Sequence, residues 1–379
     1  MNNFDADALQ LHKQARGKIA LSLKVPLKNK ADLSLAYTPG VAAVSKAIAE
    51  DESLMYEYSP KGNMVAVVSD GSAVLGLGNI GAAGAYPVME GKCALFKHFG
   101  GVDAFPLVVH TQDVDEIVEL VVNISAGFGG INLEDIAAPR CFEIEAKLKE
   151  RLKIPIFHDD QHGTAMVVLA GLINALKVTG RDKSSKIVIN GAGAAGIATG
   201  KLLLDYGFTN LTMVDSRGSI YEGRENLNFA KEAIAKRSNL DKIAGGLADV
   251  LKGADIFIGV SKADLVSKDM VRDMAEGPIV IAMANPNPEI TEADALEAGA
   301  AVVATGRSDS QNQLNNVLVF PGLFRGILDI RAEQFTHEMY VAAAEALAGM
   351  VETPSATNII PSPFQEGVAE IIAEAVRSS

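Results

Sequence analysis

Along the chain, short apolar runs alternate with longer stretches in which apolar residues return every three or four positions. The alternation is sharpest after residue 155. "IPIF" (154–157) precedes helical periodicity over 160–178, and "KIVIN" (186–190) precedes a helix over 194–206. "LTMV" (211–214), a further helical stretch, "DIFIG" (255–259) and "PIVIAM" (278–283) continue the series. Brief Ile/Val-rich runs separated by amphipathic helices predict buried parallel strands with crossover helices, a Rossmann-like doubly wound sheet. The first 150 residues are less regular. They mix helical patterns with runs such as "MVAVV" (64–68) and "AFPLVV" (104–109), predicting a smaller mixed α/β domain. The tail from 336 reads as helical, broken by "PSATNIIPSP". The expected division is an N-terminal domain over 1–158 and a dinucleotide-type domain with its helical tail over 159–379. The cleft between two such domains is a favoured place for a site.

Composition narrows the function classes. The 379 residues are 48% hydrophobic and 21% charged, ordinary for a globular chain. Thirty-four basic against 47 acidic residues give a formal charge of −13. That argues against nucleic acid and anionic membrane as partners, since both need a basic surface. Only Cys93 and Cys141 occur, so neither a disulfide framework nor a thiolate zinc cluster is expected. The start "MNNFDADALQ" is acidic where a signal peptide needs base, and no apolar run approaches a membrane span. A cytoplasmic setting is expected.

Three constellations carry candidate chemistry. In "KIVINGAGAAG", Gly191, Gly193 and Gly196 follow a strand, and Ala194 and Ala195 open a helix. Asp215 ends the next strand about 20 residues on, as a dinucleotide fingerprint requires. Its carboxylate can accept from ribose hydroxyls and repel a 2′-phosphate, which favours NAD over NADP. Arg217 and Lys201 are the nearby charges that could reverse that preference.

The second constellation is acidic. "GGINLEDI" puts Glu134 and Asp135, and "FHDDQHGTA" puts Asp159 and Asp160, directly after strand-like runs. Strand ends face the ligand crevice of an open α/β sheet, and carboxylates without thiolates suit Mg²⁺ or Mn²⁺. The plainer alternative is a helix cap at Asp159 or Asp160 and a solvated loop at Glu134–Asp135. His158 and His162 read as structural rather than as ligands.

The third is a misplaced lysine. If "YPVMEGKCALFKHFG" is a helix, Val88, Met89, Leu95, Phe96 and Phe99 lie within about 60° of Lys92. Burial would lower the pKa of Lys92 and offer a neutral amine as a base, unless the chain merely snorkels. Residues alone leave three classes open: a metal-dependent enzyme, another Rossmann-domain dehydrogenase, and a non-catalytic nucleotide-sensing regulator.

Taken together, "YTPGVA" (37–42), "GLGNIG", "MEGKCALFKHFGG", "NLEDI", "FHDDQHGTA", "NGAGAAG", "MANPNPE" and "TGRSD…NQLNNVLVFPG" resemble the malic enzymes in their short bacterial and archaeal form. The resemblance implies oxidative decarboxylation of L-malate to pyruvate and CO₂ with NAD or NADP and with Mg²⁺ or Mn²⁺. It implies Glu134, Asp135 and Asp160 as metal ligands, Lys92 as general base with Asp159 as its partner, and Tyr37 as general acid. It also places Asn285, Asn315 and Asn316 around substrate and nicotinamide, and suggests a homodimer in which Tyr37 serves the neighbour's site. Two positions depart from the pattern. Longer members carry an arginine for a substrate carboxylate where this chain has Ala73, and short members often have proline where it has Gln311.

Overall fold

A computed structural model describes residues 3–74 and 76–379. The chain opens with four helices, α1 (Asn3–Ala15), α2 (Lys30–Ala36), α3 (Val41–Glu50) and α4 (Met55–Tyr58). Apolar side chains on this segment face outward: Leu21, Leu23, Leu35 and Tyr37 are all largely exposed.

The first sheet follows. It is built from β1 (Met64–Ser69), α5 (Gly81–Gly100), β2 (Asp103–Val108), α6 (Val114–Ile124), β3 (Gly130–Leu133), α7 (Arg140–Arg151) and β4 (Ile156–His158). Its four strands are parallel, in the order β2-β1-β3-β4. β3 is buried throughout and β1 from Val65 onward, because helices cover both faces. One consequence is that Asp70, Glu134, Asp135, Asp159 and Asp160 all follow carboxyl ends of adjacent strands.

Helix α8 (Asp159–Thr179) leads to the second sheet. β5 (Ile187–Asn190), α9 (Ala194–Asp205), β6 (Leu211–Asp215), β7 (Gly218–Ser219), α10 (Phe229–Ala235), α11 (Leu247–Leu251) and β8 (Ile256–Gly259) come first. α12 (Lys268–Arg272), β9 (Ile279–Ala282), α13 (Glu292–Glu297) and β10 (Val302–Thr305) complete it. The order is β10-β9-β8-β5-β6-β7, parallel except for the short β7. β6 lies on one side of β5 and β8 on the other, so the chain switches direction where the glycine loop leaves β5. Such a switch point is where doubly wound sheets take their ligand.

The last helices, α14 (Phe320–Ile330), α15 (His337–Gly349) and α16 (Val368–Arg377), return across the molecule. Phe320 and Phe324 of α14 set their rings 4.6 and 5.1 Å from Phe96 of α5. Gly100 permits the approach, since a Cβ there would meet the Pro321 carbonyl at 2.7 Å. The largest apolar cluster therefore joins Val65, Phe96, Ile187 and Phe324 from both halves. The expected limit near 158 separates the two sheets but does not divide the core.

Candidate active site

Helix α5 delivers Lys92. Met89, Cys93 and Phe96 on the same face are buried, and the lysine side chain is only 10% exposed. Its Nζ stands 2.5 Å from Asp159 Oδ2 and 2.9 Å from Glu134 Oε1, with the Phe320 ring centroid 4.1 Å away. The burial expected from the apolar stripe is present, but the expected direction of the pKa is reversed. Desolvation alone would lower it; the carboxylates of Asp159 and Glu134 outweigh that and hold Lys92 as an ammonium above its ordinary range.

Strand β3 delivers Glu134. Asn132, two residues earlier and on the same face, donates from Nδ2 to Glu134 Oε2 at 2.8 Å. Burial pushes the Glu134 carboxyl up; Lys92 opposes this, and the charges of Asp159, Asp160 and Asp135 add to it. Asp160 Oδ2 accepts from the Asp135 backbone N–H at 2.8 Å, tying the ends of β3 and β4 together. His158, fully buried behind them, has Nε2 3.6 Å from Asp160 Oδ2, and desolvation lowers its pKa. His162 points elsewhere, to Glu145 at 2.7 Å, with its ring stacked on Tyr340.

The second half reaches this cluster through Asn316, whose Nδ2 donates to Asp159 Oδ2 at 3.0 Å. Asn315 caps the short turn over 316–318 by accepting from the Val317 N–H. Asn285 is exposed just beyond β9. Tyr37 is not brought to Lys92 by its own chain. It is 67% exposed and, among the described residues, its side chain has no hydrogen bond or ring contact.

Among the described residues no three acidic, histidine or cysteine side chains converge closely enough to hold an ion as they stand. Glu134 is engaged by Lys92 and Asn132, and Asp160 by the Asp135 backbone. The donor set nevertheless fits a hard dication. Glu134, Asp135, Asp159 and Asp160 gather at neighbouring strand ends with one ammonium among them, and their donors are oxygens.

The glycine loop has the shape a dinucleotide needs. Gly191 has φ 120°, and a Cβ on Gly196 would lie 1.8 Å from the Gly191 carbonyl oxygen. A Cβ on Gly193 would meet nothing within 4 Å, so a ligand can approach the backbone there. Asp215 is not the bare carboxylate expected at the end of β6. Arg224 grips it with Nη1 at 2.9 Å and Nη2 at 2.6 Å, and Lys231 Nζ adds a contact at 2.6 Å. Burial would raise its pKa, but these two cations and the Arg217 N–H hold it well below the usual carboxylate range. Lys201 lines a cavity shared with Glu145 and Tyr340.

Sequence reasoning missed Gly163 as well as these cations. A Cβ at Gly163 would lie 2.0 Å from Asp159 Oδ1, so the glycine gives that carboxylate its place. The spacing of four residues along a helix is the signal that could have found it.

Known proteins resemble this chain over nearly its whole length. Residues 16–149 match the family described as malic enzyme, N-terminal domain, and residues 161–377 match malic enzyme, NAD binding domain. The chain is 58% identical to the bifunctional malic/malolactic enzyme of Bacillus subtilis, over 98% of this chain and 91% of that one. It is 53% identical to the NAD-dependent malic enzyme of Geobacillus stearothermophilus, over 95% of this chain and 76% of that one. It is also 53% identical to the NADP-dependent malic enzyme of Rhizobium meliloti, over 91% of this chain and 46% of that longer one. The crystal structure of malic enzyme from Pyrococcus horikoshii superposes with a TM-score of 0.96 at 47% identity, covering 99% of this chain and 90% of that one.

Proposed function

The chain belongs to the malic enzyme family, and on that premise we propose how its own residues carry out the oxidative decarboxylation of L-malate to pyruvate and CO₂ with NAD or NADP. The observation that carries the reading is the buried contact of Lys92 with Asp159 and Glu134, reached from the second half by Asn316.

Lys92 is the group that takes the C2 hydroxyl proton. It must first be neutral, and Asp159, 2.5 Å away and fully buried, is the place its resting proton can go. Receiving that proton relieves the crowding of carboxylates around Glu134. Glu134, Asp135 and Asp160 would hold Mg²⁺ or Mn²⁺, which would supply Lewis-acid charge for substrate oxygen. Asn315 and Asn316 orient substrate and nicotinamide from the second half, with Asn285 at its rim. Tyr37 supplies the proton that ends at C3 of the enol, and the same site decarboxylates oxaloacetate. Because Tyr37 is exposed amid outward-facing leucines, it acts in the cleft of a second copy, in a homodimer that covers those leucines.

NAD is the preferred nicotinamide carrier, with modest discrimination. Asp215 stands where the adenosine ribose is read, but Arg224 and Lys231 compensate its charge and blunt its repulsion of a 2′-phosphate. Comparing kcat/KM for the two cofactors checks this; a preference for NADP above tenfold, roughly 1.4 kcal/mol, would overturn it.

The reading as a whole is tested with two variants. Lys92→Ala should lose about 10²–10⁴-fold in kcat, the range of a positioned acid–base group, while still binding NADH. Asp160→Asn should bind Mn²⁺ more weakly by electron paramagnetic resonance. Turnover of Lys92→Ala within about threefold of wild type contradicts the base assignment, given that range for a working acid–base group.

A further inference from the structure

Helices α7 and α9 come from different halves and face one cavity. Phe142, Glu145 and Lys149 on one, and Ala198, Lys201 and Asp205 on the other, line a shared cavity of about 330 Å³. They also run in the same direction, because both C-terminal ends meet one segment. The Lys149 carbonyl accepts from Gln334 Nε2 at 3.2 Å, and Asp205 lies 3.9 Å from His337 Nδ1. Parallel helices in that register carry their N-termini level with each other. Helix α7 opens with Arg140, and α9 opens with Ala194, directly after the open space at Gly193. Ala194 accordingly packs against the apolar cluster that contains Ile136 and Cys141.

Arg140 is anchored with donors to spare. Its Nη2 donates to the buried Asp70 at 3.0 Å, and Asp70 is itself fixed by the Ser72 N–H and hydroxyl at 2.9 and 2.6 Å. Among the described residues, Nε is buried without a partner and no hydrogen bond engages Nη1. A guanidinium held by one carboxylate, with its side chain 32% exposed and its Nε unmatched, keeps donors to offer an anion. The anion that a Rossmann glycine loop receives at its helix N-terminus is a diphosphate.

We infer that Arg140, from the first half, is a ligand for the diphosphate of the nicotinamide dinucleotide bound at the Gly191–Gly196 loop. This rests on the reading of that loop as the dinucleotide site. Phosphate oxygens then bridge a guanidinium on α7 and the backbone N–H groups that open α9. A bound diphosphate is thereby held by residues of both halves.

Calorimetric titration with ADP-ribose and with adenosine, without malate or metal, tests the assignment. Arg140→Ala should weaken ADP-ribose binding roughly ten- to a hundredfold, the worth of a hydrogen bond to a charged group. Adenosine binding should not change, and Arg140→Lys should recover part of the loss. If Arg140→Ala does not fold because Asp70 is left alone, the double variant Asp70→Asn/Arg140→Gln removes that buried charge and should show the same selective loss. Unchanged ADP-ribose affinity in the folded variants, or an equal loss for adenosine, overturns the inference. A wild-type chain that does not bind ADP-ribose at all sinks the dinucleotide-site reading instead.

Discussion

Glu145 shows how much a single buried charge can organise. It accepts from Gln161 Nε2 at 2.9 Å, and has His162 Nε2 and Lys149 Nζ each at 2.7 Å. Burial would raise its carboxyl, but His162 and Lys149 hold it well below the ordinary value. A folded-state pKa below the unfolded one contributes stability above the unfolded value, and that contribution fades as pH falls below it. Glu145→Gln should therefore cost about 3 kcal/mol at neutral pH, as breaking a buried pair does. The gap to wild type should narrow below about pH 4.3, the ordinary glutamate value, in urea unfolding at pH 7 and pH 4. A gap that stays constant with pH would show that shape, not charge, holds the network. Not every residue of this kind can be read in advance. Lys92 is legible because one charge in an apolar stripe is anomalous at helical spacing. The cations on Asp215 are not legible, since Arg224 reaches it from a turn and Lys231 from α10, at no recognisable interval. The direction of the Lys92 pKa is likewise hidden, because it depends on Asp159 and Glu134 arriving from β4 and β3.

At the scale of elements, α8 is a core helix whose first turn carries two carboxylates of the candidate site. Asp159 folds back over Gly163, one turn on, so the helix itself needs a missing side chain there. Gly163→Ala should move the Asp159 carboxylate off Lys92 and lower kcat about 10–100-fold, as a small misplacement of a catalytic group does. The melting temperature should hold or rise, since alanine favours helix over glycine by about 1 kcal/mol. A parallel fall in both would mean that the helix, rather than the carboxylate, has been damaged. The runs over 64–68, 104–109, 186–190, 211–214, 255–259 and 278–283 match β1, β2, β5, β6, β8 and β9 to within a residue at each end, because buried parallel strands read as apolar runs. Helix α5 starts at Gly81 rather than Tyr86, since "GAAGA" offers no apolar period and Pro87 resembles a start. β10 is not legible, since it lies in the alanine-rich stretch "AGAAVVATG", which sets no strand apart, and β7 is two residues long, paired with β6.

For the molecule as a whole, the sequence places the change from one sheet to the next but not the return of α14 to α5, which depends on contacts more than 200 residues apart. Tyr37 belongs to the same scale. If it completes a neighbour's cleft, sedimentation should give a dimer, and each cleft needs Lys92 from one chain and Tyr37 from the other. Tyr37→Phe and Lys92→Ala dimers should each be nearly inactive. Exchanging their subunits should restore roughly a quarter of wild-type activity, because half of the twofold dimers are mixed and each has one intact cleft. No recovery on mixing would place the tyrosine in its own chain's site. The exposed tyrosine thus has a genetic meaning. In a dimer of that kind, two alleles, one damaged at Tyr37 and one at Lys92, should complement each other in a single cell, whereas two alleles damaged at the same position should not.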